Sequence, residues 1–241
     1  MMKTILEIAV FNIESALTAI AAGADRIEFC ENPQEGGTTP SYGALKTLIQ
    51  KTTQPIFPII RPRGGDFLYS DHEFESIKSD LLLVKELGYP GAVIGLLKED
   101  GHIDINRTSE LVAMAGNMEI TFHRAFDRCI DPIKGLEDII QTGCKRILTS
   151  GQVPNAGNAL PLLKELVELA NDRIIIMPGS GVRASNIAEI ISTTGAKEIH
   201  SSARKNYPSS MQFNKESMQE QMLFTGVDTN EVVAMKNQLT Q

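Results

Sequence analysis

The sequence predicts an α/β protein of the TIM type, a (β/α)8 barrel with parallel strands. Eight short runs of apolar, often β-branched residues start 21 to 36 residues apart along the 241-residue chain. Between them lie segments with apolar residues at the i, i+3, i+4 spacing of an amphipathic helix. Eight alternating strand–helix units favour a parallel sheet, and a chain of this length suits one closed barrel of about 250 residues.

The strands are expected at the apolar runs Ile5–Val10, Arg26–Cys30, Ile56–Ile60, Ala92–Leu96, Glu119–His123, Arg146–Ser150, Arg173–Met177 and Glu198–Ser202. Helices are expected after the first seven strands, at Ile13–Ala22, Tyr42–Lys51, Glu73–Leu87, Ile105–Ala115, Pro132–Gln141, Leu160–Ala170 and Asn186–Thr193.

Capping residues support these helix boundaries. Thr39–Pro40 and Asp131–Pro132 each offer an N-cap followed by a first-turn proline. Four helices end at a glycine, which tolerates the left-handed conformation, at Gly23, Gly88, Gly143 and Gly195. Asp228 with Glu231 is typical of a capping box that opens an eighth helix, Thr229–Leu239. No linker interrupts the chain, so we expect one barrel domain over residues 1–241, with 205–241 as a C-terminal segment that carries the last helix.

Composition narrows the function classes. A net charge of −7 argues against a nucleic-acid surface, which needs a basic patch, and gives no support for binding to anionic membranes. The three cysteines, Cys30, Cys129 and Cys144, are widely spaced, which fits a reducing compartment. The amino-terminal stretch contains Glu7 and no small-residue cleavage site, and no apolar run is long enough to span a bilayer. We therefore expect a cytoplasmic protein that handles small molecules.

Alternation along the strands points unusual side chains into the barrel. Glu7, Glu28, His123 and His200, from four different strands, are expected on the inner face. Most barrels fill this space with Val, Ile and Leu, because an unpaired buried charge is costly. The four residues are therefore candidate catalytic groups at one mouth of the barrel, or members of a buried salt-bridge network.

Two polar segments at strand ends extend this candidate site. Arg61 and Arg63, in a glycine-rich loop after strand three, can hold a carboxylate or phosphate, or simply form a solvated turn. After strand five, Asp127 could orient His123 as a proton shuttle, or instead cap the following turn, and Arg124 is a further candidate for substrate binding.

The loops after strands six to eight predict an anion site. In barrels of this type the loops after strands seven and eight commonly bind phosphate through backbone N–H groups. The candidates are the loop glycines and the hydroxyl groups around them, at Ser150, Gly179, Ser180, Gly181, Ser201 and Ser202. A tight turn that binds no ligand is the alternative.

Several sequence blocks together resemble the CutC family of copper homeostasis proteins. They are Gly36-Gly-Thr-Thr-Pro-Ser41, Arg61-Pro-Arg-Gly-Gly-Asp-Phe67, Asp100-Gly-His-Ile-Asp104, Thr121-Phe-His-Arg-Ala-Phe-Asp127, Arg146-Ile-Leu-Thr-Ser-Gly151 and Glu198-Ile-His-Ser-Ser-Ala203. The resemblance implies a cytoplasmic TIM-type barrel, a homodimer or higher homo-oligomer, and a link to copper. It also implies three glycines after strand seven, where this chain has Ser180 between two glycines.

Two functional hypotheses remain open at this point, because the residues themselves support copper only weakly. Cu(I) prefers sulfur ligands, and Cys30 and Cys129 are the candidates, yet the chain has no C-x-x-C pair and Cys30 also fits a small buried hydrophobe. The first hypothesis is a copper-homeostasis protein that binds Cu(I) weakly or indirectly. The second is an enzyme that acts on a small anionic or phosphorylated substrate by general acid/base catalysis. A purely structural role gives no reason for inward carboxylates.

Overall fold

The computed structural model describes residues 4–240, and these form the predicted barrel. Its strands are Ile5–Val10 (β1), Arg26–Phe29 (β2), Ile56–Pro58 (β3), Gly91–Ile94 (β4), Glu119–Phe122 (β5), Arg146–Thr149 (β6), Ile175–Pro178 (β7) and Glu198–Ser201 (β8). The helices between them are Ile13–Ala21 (α1), Tyr42–Leu48 (α2), Asp71–Glu86 (α3), Ile105–Ala115 (α4), Pro132–Thr142 (α5), Leu160–Ala170 (α6) and Ile187–Thr194 (α7). The predicted amino-terminal stretch includes residues 1–3, which lie outside the described residues.

The strands follow one another around the barrel in chain order. They form two parallel sheets, β3-β2-β1-β8 and β4-β5-β6-β7. A parallel bridge between Ile59 and Val93 joins β3 to β4, and β7 lies beside β8. All carboxyl ends therefore meet at one mouth, where barrels of this type carry their sites. Several strands end earlier than predicted, because residues such as Cys30, His123 and Ser150 already belong to the loops at this mouth.

The predicted alternation of side chains is confirmed. Ile8, Ile27, Phe122 and Ile199 belong to the large apolar core between sheet and helices. Inside the barrel the apolar cluster is small and consists of Cys30, Phe57, Ile59 and Val93. Beside this cluster the interior holds buried charged residues, among them Glu7, Arg26 and Arg146.

Helix ends match the sequence signals with two corrections. Asp131 caps α5 by accepting from the backbone N–H groups of Ile133 and Lys134. The first correction concerns α2, whose N-cap is Ser41 and not Thr39, because the Ser41 hydroxyl accepts from the N–H of Ala44.

The second correction concerns the helix Thr229–Leu239 (α8), which has no capping box. Asp228 accepts from the N–H of Asn230, while the Glu231 carboxylate accepts from the backbone N–H of Ala184 instead of turning back to its own N-cap. Glu231 therefore links α8 to the loop before α7.

The sequence did not indicate the antiparallel hairpin that precedes α8. Strands Arg204–Pro208 (β9) and Leu223–Val227 (β10) pair with each other, and β10 contacts α1. Both are largely exposed, so no apolar alternation marks them. Among residues 4–240, no helix combines the length and the apolar character that crossing a bilayer requires.

Candidate active site at the barrel mouth

A cavity of about 560 Å³ opens at the carboxyl ends of the strands. Glu28 from β2, His123 after β5 and His200 from β8 line it together with residues of the loops that follow β6, β7 and β8. The structure thus brings these three predicted residues to one cavity. Glu7 lies directly beneath it, fully buried, and reaches the cavity through its contact with His200.

A buried ionic network forms the floor of the site. Strand register places Glu7 opposite both Arg26 and His200. Arg26 pairs with Glu7 at 2.5 Å (Nε to Oε2) and also with Glu198, which in turn accepts from Arg146 at 3.0 Å. Arg146 also pairs with Glu119 at the other end of its guanidinium, at 2.5 Å. The sequence analysis missed Arg26, Arg146 and Glu198 as interior residues, although Arg26 shares the predicted inward face with Glu28.

Glu7, His200 and Glu28 form a chain of acid and base groups that leads from this network into the cavity. His200 Nδ1 lies 2.8 Å from Glu7 Oε1, and its Nε2 lies 3.8 Å from Glu28 Oε2. Burial works against the charged form of Glu7, but Arg26 and His200 together lower its pKa to about 2. Burial also opposes the charged form of His200, yet the bond to Glu7 and the neighbouring Glu28 raise its pKa.

Glu28 is the group of the Glu7–His200–Glu28 series whose pKa lies near neutrality. Burial, reinforced by the Glu7 carboxylate and opposed by His200, raises the pKa of Glu28 to about 7. A carboxyl group whose pKa lies near the working pH can both accept and donate a proton, which general acid/base catalysis requires. Glu7 stays charged below it and fixes the orientation of the His200 ring through Nδ1.

His123 is held separately from the Glu7–His200–Glu28 series. Its Nδ1 accepts a hydrogen bond from the backbone N–H of Ala125 at 3.1 Å, and its ring packs against Phe67. Burial, together with the neighbouring Arg61, lowers the pKa of His123 to about 3, so the ring is neutral. Its Nε2 is buried and has no hydrogen-bond partner within residues 4–240.

The hypothesis that Asp127 orients His123 is wrong. The Asp127 carboxylate accepts from Arg124 Nε at 2.7 Å, from the Thr149 hydroxyl at 2.6 Å and from the backbone N–H of Ser150 at 2.9 Å. Asp127 therefore ties the loop after β5 to the end of β6. Ser150 belongs to this tie and does not line the cavity, since its hydroxyl donates to Val153 O and also meets Arg124.

The two arginines of the loop after β3 have different positions. Arg61 is buried in the cavity wall, and it donates to the backbone carbonyls of Glu35, Gly37 and Gly65. Arg63 does not reach the cavity, because its guanidinium pairs with Glu73 at the start of α3. Arg63 therefore does not belong to the predicted anion-binding site. Most of the N–H groups of Arg61 donate to carbonyls of the surrounding loops.

The loops after β7 and β8 line the cavity with free backbone donors. The N–H groups of Ser180, Gly181 and Ser202 have no hydrogen-bond partner within the described part of the chain. Gly179, by contrast, lies behind the wall: its N–H bonds to Thr149 O, and a Cβ there would lie 2.5 Å from Leu148. The hydroxyls of Ser180 and Ser201 donate to Pro154 O and Val182 O, so they shape the loop and leave the amides available.

The mouth is locally cationic although the chain carries a net charge of −7. Three carboxylates line the cavity, those of Glu28, Glu35 and Asp127, against five arginines: Arg61, Arg124, Arg128, Arg183 and Arg204. Among the described residues, Arg183 has no ion-pair partner and its side chain forms no hydrogen bond. The sequence analysis missed Arg128, Arg183 and Arg204, although the position of Arg183 just after the predicted anion loop was a usable signal.

The cysteines do not fit a thiolate site for Cu(I). Burial, reinforced by Glu28, raises the pKa of the Cys30 thiol well above its ordinary value, and burial raises the pKa of Cys129 to about 11. Neither lines the cavity, and the Cys129 thiol donates to Asp131 O at 3.4 Å. Metal ligation needs the thiolate, which this burial disfavours. Among residues 4–240, no cluster of three or more His, Cys, Asp or Glu side chains is arranged to hold a metal ion.

Sequence relatives share one family. The model of the CutC family matches residues 4–205. A CutC family protein of Photorhabdus laumondii is 51% identical over 212 residues, which cover 88% of this chain and 85% of the relative. One from Serratia proteamaculans is 45% identical and covers 97% of this chain and 95% of its own length.

Solved structures agree with the fold. The crystal structure of a CutC protein from Streptococcus agalactiae, whose name carries copper homeostasis as a suggested role, superposes with a TM-score of 0.77 at 34% identity. The match covers 83% of this chain and 98% of that protein. Phosphoribosyl anthranilate isomerase of Thermotoga maritima superposes with a TM-score of 0.61 at 13% identity, over 98% of both chains, which is a likeness of fold alone.

Proposed function

The chain belongs to the CutC family, and from this premise we propose that it serves copper homeostasis in the cytoplasm as a barrel enzyme and not as a carrier of Cu(I). Its substrate in this proposal is a small anionic or phosphorylated compound, and its chemistry is proton transfer at the barrel mouth. Copper homeostasis is the role suggested in the name of the Streptococcus agalactiae relative.

One observation carries the catalytic part of the proposal. Glu28, with a pKa raised to about 7, lies in the wall of a 560 Å³ cavity, 3.8 Å from His200. Perturbed carboxyl groups in a cavity with convergent polar groups are typical of catalytic acids and bases.

The anionic nature of the substrate rests on the surrounding charges. The free N–H groups of Ser180, Gly181 and Ser202 and the unpaired guanidinium of Arg183 line the same cavity. Backbone amides in barrel loops bind phosphate and carboxylate oxygens, and a guanidinium strengthens such contacts. A substrate of this kind would lie with its anionic group at the loops after β7 and β8 and its reactive part near Glu28.

Binding of inorganic phosphate to Arg183→Gln tests the anion site. We expect this variant to bind phosphate about tenfold more weakly than the wild-type chain, since a hydrogen bond to a charged group is lost. Lys164→Gln is the matched control, because it removes the same charge from an exposed position on α6. Equal losses in both variants, or none in either, would contradict the anion site.

The chemical step is tested separately with Glu28→Gln. This variant keeps the size of the side chain and removes a negative charge, so phosphate binding should be retained or strengthened. Turnover of any substrate found by screening small phosphorylated and carboxylated compounds should fall at least about a hundredfold, the usual contribution of a general acid or base. Full turnover in Glu28→Gln would rule out the assigned role.

The copper part is tested by titrating Cu(I) into the wild-type chain and Cys30→Ser. Because the thiol is buried and protonated, we expect stoichiometry and affinity to be the same in both. A lost equivalent of bound copper in Cys30→Ser would favour the direct Cu(I) hypothesis over the enzymatic one.

The homo-oligomer implied by the family resemblance remains a proposal. Exposed apolar side chains gather on the segment that contains the β9–β10 hairpin, at Met211, Phe213, Met218, Leu223 and Phe224. Burying such a surface against a second copy would be favourable. Sedimentation velocity tests this directly, and a single species at the monomer mass of 26.4 kDa would contradict it.

A further inference from the structure

Two residues of the cavity lining each have a buried hydrogen-bond donor without a partner among residues 4–240. His123 Nε2 and Arg61 Nε are buried, and neither has a partner within residues 4–240, although both side chains line the cavity. Because His123 Nδ1 accepts from the backbone N–H of Ala125, the proton of the neutral ring is on Nε2. The terminal nitrogens of Arg61 already donate to backbone carbonyls, which leaves its Nε–H unused.

Phe67 packs against both residues. Its ring lies 4.9 Å from the His123 ring and 5.0 Å from Arg61 Cζ, and His123 and Arg61 are each 4% exposed. An unpaired buried N–H group destabilises a fold, and buried polar groups in native proteins nearly always have a partner. The Arg61 guanidinium also interacts with the buried Tyr69 hydroxyl, so its Nε–H does not require a ligand. The unpaired Nε2–H of His123 is explained most simply by an oxygen atom that a ligand brings.

The packing around His123 keeps the ring where it is. A Cβ on Gly95 would lie 2.3 Å from the ring atoms Cε1 and Nδ1, so only glycine leaves room for the ring on that side. The adjacent guanidinium of Arg61 disfavours a second proton on the ring. His123 is therefore a fixed, uncharged N–H donor and not an acid or base.

We propose that His123 binds the carbonyl oxygen of the substrate, while Glu28 exchanges the proton on the carbon next to that carbonyl. This inference rests on the function proposed above and names the substrate class, a small carbonyl compound that also bears an anionic group. The Glu28 carboxylate takes the proton, the C–H electron pair forms a C=C bond, and the carbonyl π pair moves onto oxygen. The Nε2–H of His123 donates to that oxyanion, and protonated Glu28 returns the proton to carbon.

The barrel topology places the groups for these separate roles on different strands and loops. Glu28 lies on β2 and His123 follows β5, three strands away around the barrel, so the two face the cavity from different sides. The free amides of the loops after β7 and β8 provide a third side for the anionic group. Each part of the substrate thus has a separate set of contacts.

Oxalate is the test ligand, because its coplanar oxygens imitate an enolate, and inorganic phosphate is the comparison. His123→Asn keeps an acceptor for the Ala125 N–H at the position of Nδ1 but has no group at the position of Nε2. His123→Gln places an amide N–H near the Nε2 position and loses the acceptor. Binding of both ligands is measured by calorimetry for the wild type and the two variants, and thermal unfolding checks that each variant is folded.

We expect oxalate to bind about tenfold or more weakly to His123→Asn and within about threefold of wild type to His123→Gln. Phosphate should bind all three proteins alike. In the wild type, the ¹⁵N resonance of His123 Nε2 should shift on addition of oxalate and remain that of a neutral, protonated nitrogen.

Three results would overturn the inference while leaving the proposed function intact: unchanged oxalate binding in His123→Asn, an equal loss of oxalate and phosphate binding in that variant, or phosphate binding without oxalate binding in the wild type. Absence of binding of either anion to the wild type would overturn the proposed function itself, and the inference with it.

Discussion

Replacing Glu28 with glutamine is expected to stabilise the fold above pH 7 and to leave its stability nearly unchanged at pH 4. Burial, reinforced by Glu7 and opposed by His200, raises the pKa of Glu28 from 4.5 to about 7 in the folded chain. Between these two pH values the folded chain holds a proton that the unfolded chain has released. Stability therefore falls as the pH rises through this interval, and it stays lower above it.

The magnitude follows from the width of that interval. One pKa unit corresponds to about 1.4 kcal/mol, so the wild-type chain loses about 3 kcal/mol of unfolding free energy between pH 4.5 and pH 7 through this group. A 241-residue chain has an unfolding entropy of about 0.5 kcal/mol/K, so the difference corresponds to about 6 °C in Tm. Glutamine does not titrate, so the unfolding free energy of Glu28→Gln lacks this pH-dependent contribution.

Thermal unfolding followed by circular dichroism at half-unit intervals from pH 4 to pH 8 measures the effect. Glu165→Gln is the matched control, since Glu165 is exposed on α6. The Tm of Glu28→Gln should rise relative to wild type as the pH increases, while Glu165→Gln follows wild type throughout. A Tm difference between Glu28→Gln and wild type that is the same at pH 4 and pH 8 would refute the assignment of a raised pKa to Glu28.

Three other perturbations probe the parts of the site. Arg26→Met removes one buried ion-pair partner from Glu7 and one from Glu198 and should cost about 3 to 5 kcal/mol of unfolding free energy by urea denaturation. A loss below about 1 kcal/mol would mean that the network is not formed. Gly95→Ala places a Cβ 2.3 Å from the His123 ring. It should lower the unfolding free energy by about 1 to 3 kcal/mol and weaken oxalate binding. If neither the unfolding free energy nor oxalate binding changes, the ring is not confined by Gly95. All three thiols are buried and have raised pKa values. Iodoacetamide at pH 8 should therefore label the unfolded chain much faster than the folded one. Equal labelling rates would contradict the burial of the thiols.

The sequence predicted the barrel well because its units are local. Each strand and helix is marked by its own apolar period and caps, and α4, α6 and α8 begin and end at the predicted residues. Alternation within single strands also predicted correctly that Glu7, Glu28 and His200 face inward. The β9–β10 hairpin escaped because exposed strands have no buried face to mark them.

Pairings between strands could not be predicted in the same way. Asp127 is four residues from His123 in the sequence, yet it does not bind the His123 ring and instead accepts from Thr149 and Ser150 at the end of β6. Arg26 reaches Glu198, 172 residues away, because β2 and β8 flank β1 in the sheet. Such contacts depend on the register between strands, which no local pattern in this sequence specifies.

The most direct test of the central claim is a ¹³C-detected pH titration of the Glu28 side-chain carboxyl in the folded wild-type chain. A midpoint near pH 7 is expected if Glu28 is the group that exchanges protons at the barrel mouth. A midpoint at or below 4.5, the ordinary value for glutamate, would mean that Glu28 is a permanently charged structural partner of His200, and the proposed chemistry would lose its acid and base.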